Sequence, residues 1–147
     1  MDWKQEAIDK LRGYEANKKA LDNIPLELER LETAYTGIRS AKLDGIPTAK
    51  GCGNRREDAL LSNIVHREEL ARRLEESRLW IKIVDGALSV LDEEDQLMLI
   101  LCFIRKAKGA IDDLCYRLNV EKSAVYRRRD QALRRFTLAL YGPLEGL

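Results

Sequence analysis

Ten lysines and arginines lie between Arg105 and Arg135, against four acidic residues in the same stretch, a local balance of +6. Residues 1–104 carry sixteen basic and twenty acidic side chains, a balance of −4. A chain whose net charge is only +1 has therefore gathered its positive charge near one end. Clustered lysine and arginine share one general chemistry: they collect phosphate oxyanions and release counterions in doing so. The densest part is KSAVYRRRDQALRR, residues 122–135. At 3.6 residues per turn, Val125, Ala132, Phe136 and Ala139 share one face of a helix there, with Leu133 and Leu140 beside it. Ser123, Arg127, Asp130 and Arg134 lie opposite, and Tyr126 and Gln131 take the flanks. An apolar underside with a cationic upper side is the pattern of a helix laid into the groove of double-stranded DNA.

Only the first turns of such a helix reach base edges. Lys122, Ser123, Tyr126 and Arg127 are therefore expected to read bases, and Arg128, Arg134 and Arg135 to hold phosphates. Arg129 falls near the buried side and is expected to pair with Asp112 or Asp113, its stem covering apolar surface. The alternative for Arg127 to Arg129 is a merely solvated face. Tyr126 divides evenly between packing on the helix edge and touching DNA. Arg105, Lys106 and Lys108 are read as solubilising the segment after their helix.

The elements that must carry these residues are all helical. Proline is scarce, and long stretches rich in Leu, Ala, Glu, Lys and Arg run between two breaker clusters. Residues 2–23 read as a first helix, and Asn23-Ile24-Pro25 as a break with a restart. Residues 25–41 then bury Leu28, Leu31, Tyr35 and Ile38. Residues 42–54, KLDGIPTAKGCGN, read as an exposed loop. A long helix over 56–89 carries an apolar ladder of Leu60, Leu61, Ile64, Ala71, Leu74, Ile81, Val84 and Leu88, which suits an antiparallel bundle or coiled coil. Its seam either closes within the chain or forms a homodimer or larger ring. Asp92 caps a strongly apolar helix over about 93–106, ended by Lys108-Gly109. Residues 110–118 form a short helix. Asn119-Val120 makes the turn, with asparagine in the left-handed conformation, and residues 121–141 form the last helix, stopped by Gly142-Pro143. Two parts follow: a helical scaffold over 1–89, and a helix-turn-helix over 90–147.

Other chemistries find little footing. Cys52, Cys102 and Cys115 are odd in number and widely spaced, which argues against a disulfide framework and for a reducing cytosol. His66 is the only histidine and reads as a surface or seam residue, so no zinc site is expected. No nucleophile–base pair, paired carboxylates or phosphate-cradling glycine loop stands out. The chain is expected not to be an enzyme and to need no metal or cofactor. With no apolar run of 18 residues and no apolar core in MDWKQEAIDK, it is expected in the cytoplasm and off the membrane.

Leu91-Asp92-Glu93-Glu94, the apolar helix after it, Leu114 to Val120, and Ala124-Val125-Tyr126-Arg127-Arg128 followed by Ala132-Leu133 carry a resemblance. Over some 50 residues they look like the C-terminal promoter-reading domain of bacterial sigma factors. With its helical first half, the chain is similar to phage and prophage transcriptional regulators of the ArpU/RinA type. That resemblance implies an all-helical fold, sigma-like DNA reading, a bacterial host and a role in phage gene expression, typically of late genes. The chain departs from the pattern at Arg128 and Arg129, where an aliphatic residue is usual, and at Glu121, where the helix cap is usually serine. Two other readings stand beside it: a phage DNA-packaging recognition subunit, and a helical adaptor that contacts RNA polymerase without reading DNA.

Overall fold

The computed structural model describes residues 1–40 and 52–147, and every regular element among them is helical. In order they are α1 (Trp3–Arg12), α2 (Tyr14–Ser40), α3 (Cys52–Ser89), α4 (Glu93–Leu99), a π-helical turn (Ile100–Ile104), α5 (Ala110–Leu118) and α6 (Lys122–Tyr141). Of the loop expected over 42–54, residues 42–51 lie outside the described residues, and residues 52–54 already belong to α3. None of the described helices is long and apolar enough to cross a membrane.

The chain forms two compact units. One comprises Met1–Lys18 and Leu79–Leu147, the other Lys19–Arg78. This division does not follow the boundary read at 89/90: the first helix joins the C-terminal elements. Within the first unit α1 packs on α6 and on the π-helical turn, α4 and α5 each pack on α6, and α5 also meets the π-helical turn. The core between them holds Ala7 and Leu11 of α1, Val84 of α3, Met98 and Leu99 of α4, Leu114 of α5, and Val125, Ala132 and Phe136 of α6.

The helix break lies at Gly13, not at 23–25. A β-carbon on Gly13 would sit 2.8 Å from the Trp80 ring, so the indole lies where any larger residue would be. Trp80 Nε1 donates to the Lys10 carbonyl at 3.0 Å and holds that approach. Pro25 lies inside α2. It is exposed there, so the carbonyl it leaves without a helical donor can turn to water, and the helix runs on.

Tyr14 Oη donates to Asp85 Oδ1 at 2.7 Å, and partial burial together with that carboxylate pushes the phenol up to about 12 from 10.0. The folded chain thus holds a proton that the unfolded chain releases near pH 10. The stabilisation is complete below pH 10 and disappears as the pH rises through 12. Tyr14→Phe is expected to flatten the urea-midpoint profile between those values. An unchanged profile would remove Tyr14 from the alkaline transition.

In the second unit α2 and α3 pair with each other. Asn63 Nδ2 donates to the Leu31 carbonyl at 2.9 Å, Arg56 donates to the Ile38 carbonyl at 2.7 and 3.2 Å, and the Arg67 guanidinium lies 4.9 Å from the Tyr35 ring centre. The covered positions of α3 here are Arg56, Leu60, Asn63, Ile64, Arg67, Glu69, Leu70, Leu74 and Ser77, most of them linked by steps of four and three. That is a coiled-coil seam. The ladder expected from apolar identity agrees with it at Leu60, Ile64 and Leu74 and differs elsewhere, because polar residues also stand in the seam whereas Leu61 and Ala71 are exposed. His66 is exposed.

Two details of the first unit also differ from expectation. The apolar helix after Asp92 is α-helical only to Leu99; it then widens, with Arg105 N donating to Ile100 O at 2.8 Å. Ala139 is exposed, although it shares a wheel face with Val125, Ala132 and Phe136. The covered side of α6 drifts along its length, because α1 packs across the later turns, where Trp3 and Tyr141 bring their ring centres within 4.9 Å.

Candidate nucleic-acid interface

Three local features aim α6. Asp92 caps α4, its Oδ1 accepting from Asp95 N at 2.8 Å. The α5–α6 connection is tight: Asn119 adopts φ 53°, ψ 49°, and the amides of Asn119 and Val120 both bond to the Cys115 carbonyl. Asparagine takes that left-handed geometry at modest cost, as glycine would. Glu121 stands at the start of α6 without a side-chain capping bond. At the far end Gly142, at φ 77°, stops the helix, its amide bonding to Leu138 O at 2.8 Å. Val125, Ala132 and Phe136 are wholly buried. Thr137 is buried as well, and its hydroxyl donates to the Leu133 carbonyl at 2.7 Å, so no polar group is stranded there.

The seven residues expected to meet DNA divide into two groups. Ser123, Tyr126 and Arg127 are exposed together on the first two turns of α6, with Lys122 beside them. Among the described residues Arg127 has no ion-pair partner, while Lys122 Nζ lies 3.4 Å from Asp112 on α5. Arg134 is exposed and donates to the Leu147 carbonyl at 2.9 Å.

Arg128 and Arg135 face acids of their own chain. Arg128 Nη1 bonds to Glu94 Oε1 at 2.6 Å, and Arg135 Nη1 to Asp95 Oδ2 at 2.7 Å. Asp95 is almost covered, and its carboxylate raises the Arg135 pKa above its ordinary value. These two arginines strap α6 to the first turn of α4. The acidic cap after Asp92 was legible as a helix start; its second use, as counter-charge for α6, depends on residues some forty positions away.

Arg129 does not pair with Asp112 or Asp113. Those carboxylates are held by Lys122 and by Arg117, the latter at 3.2 Å. Arg129 reaches Asp130 at 3.7 Å, and its guanidinium lies 5.0 Å from the Tyr126 ring centre and 5.9 Å from that of Phe103. The register of α6 nevertheless stands, because its burial pattern follows the expected wheel through the first three turns.

No family model, no curated protein and no solved structure matches this chain.

Tyr116, on the outer face of α5, is 88% exposed. It went unread in the sequence, though the signal was present: with Ala110 and Leu114 inward, residue 116 falls on the far side of the helix. The described residues contain no group of three or more His, Cys, Asp or Glu placed to hold a metal ion. Burial pushes the Cys102 thiol up, with Arg129 partly opposing it, which disfavours a reactive thiolate there.

Proposed function

We infer that this chain binds double-stranded DNA in a sequence-dependent way, with α6 in the major groove, and that it regulates transcription. One observation carries the reading. The first two turns of α6 present Lys122, Ser123, Tyr126 and Arg127 outward, while the same helix is anchored from below by wholly buried Val125, Ala132 and Phe136. A recognition helix needs this division: a fixed axis and free polar tips at its amino end. The likeness to sigma-type promoter readers and to phage late-gene regulators supports transcription as the setting. Within that setting Arg127 is the residue best suited to guanine, whose N7 and O6 accept a guanidinium fork.

Selection of bound duplexes from a random pool tests the reading directly, and is expected to yield a consensus. On that consensus Arg127→Ala is expected to cost about 1–3 kcal/mol of discrimination at one base pair, measured by fluorescence anisotropy against single-base variants. A pool that returns no consensus would sink the proposal.

A further inference from the structure

Behind the amino end of α6 lies a cavity of about 380 Å3, bounded by the π-helical turn, the start of α5 and the first turns of α6. Its apolar wall includes Leu101, Cys102 and Ile111, and its charged lining is Lys106, Lys122 and Arg129 against a single carboxylate, Asp112. Arg129 is the group that its own surroundings leave incomplete. Its Nε is buried and has no hydrogen-bond partner among the described residues, and its only ion-pair contact is the long one to Asp130. A buried guanidinium donor without an acceptor is costly. The two aromatic rings beside it hold the guanidinium in place without satisfying an N–H.

Lys106 lines the same cavity. It is the only lysine of the described residues with a left-handed backbone, at φ 44°. That conformation ends the π-helical segment just after its cap residue, Arg105. The Lys106 ammonium group joins on the cavity wall a guanidinium whose Nε lacks an acceptor.

We propose that this cavity binds a phosphate group, gripped by the Arg129 guanidinium and by the ammonium groups of Lys106 and Lys122, all three on its lining. The planar guanidinium fork matches two phosphate oxygens, and an anion beside it offsets the cost of its buried, unbonded Nε. Lys106 and Lys122 supply the remaining charge, Lys122 lying 3.4 Å from Asp112 on the same lining. The group can come from a free phosphate ester, whose body would rest on Leu101, Cys102 and Ile111, or from the backbone of a duplex lying on α6. The chemistry of the cavity is the same in both cases and does not require the DNA reading.

The test follows the Arg129 Nε–Hε signal by NMR in the full chain, assigned through its loss in Arg129→Lys. Inorganic phosphate is the probe, with chloride at equal ionic strength as the control. Phosphate is expected to move the signal along a saturating curve in the millimolar range, and chloride is not. Arg129→Lys, which keeps the charge but loses the fork, is followed through backbone amides of 106–112 and is expected to bind about tenfold more weakly. Lys106→Ala, at an exposed position, keeps the test open if the Arg129 variant is poorly folded, and is expected to weaken binding severalfold. A linear response, or an equal one to chloride, overturns the proposal. A duplex that moves the same signal identifies the backbone as the source. A duplex that binds without moving it, when phosphate does, identifies a free ester. Phosphate saturation in a chain that binds no duplex refutes the DNA reading and leaves the cavity's assignment intact.

Discussion

Phe136→Ala is expected to destabilise the chain by about 3–5 kcal/mol, the usual cost of emptying a fully buried aromatic site. Phe136 has no exposed surface and lies in one cluster with Leu11 of α1, Met98 of α4 and Leu114 of α5. That cluster draws on three other helices, each of which packs in part on other elements, so the gap is not expected to close fully and the loss belongs near the upper end of that range. Urea unfolding followed by circular dichroism measures it. Ala139→Ser is the control, since Ala139 is exposed although three residues away on the same helix. It is expected to change stability by less than about 0.5 kcal/mol. A Phe136→Ala loss below about 1 kcal/mol would mean that α1, α4 and α5 do not converge on α6, and the platform for the proposed interface would go with it.

That pair of positions also shows what local pattern can and cannot convey. Val125, Ala132 and Phe136 were legible as an inward stripe, because seven- and four-residue steps follow from helix geometry alone. Asp92, Asn119 and Gly142 were legible for a similar reason: each obeys a cap or turn rule that involves its immediate neighbours. Ala139 was misread because its exposure depends on α1, more than a hundred residues earlier in the chain. Gly13 was read through as helix because nothing local announces Trp80 against it. In α3 the error came from treating seams as apolar: Arg56, Asn63 and Arg67 line one by making hydrogen bonds and ring contacts to α2. At the candidate interface the exposed group Ser123, Tyr126 and Arg127 followed from the wheel. The capture of Arg128 and Arg135 by Glu94 and Asp95 did not, because charge counting weighs every arginine alike and cannot see which ones the fold has already neutralised.

That neutralisation sets the expected salt dependence of duplex binding. Each cation that displaces a counterion from the duplex contributes about −0.9 to the slope of log K against log salt. Arg128 and Arg135 are held by carboxylates at 2.6 and 2.7 Å, whereas the 3.4 Å contact of Lys122 to Asp112 joins two exposed groups and yields easily. Roughly three or four cations therefore remain to meet DNA: Lys122, Arg127, Arg134 and one from the cavity behind α6. The expected slope is therefore near −3, and affinity should fall roughly fiftyfold to a hundredfold between 50 and 200 mM salt. Anisotropy titrations across that range measure it. Glu94→Gln removes the carboxylate that holds Arg128 at 2.6 Å and is expected to steepen the slope by about one while tightening binding to any duplex. Both Glu94 and Arg128 are partly solvated, so the substitution should leave the fold in place. A wild-type slope near −5 or steeper would show that the two arginines abandon their acids on binding. A slope near zero would mean that no phosphates are met, and α6 would have to be read as something other than a nucleic-acid helix.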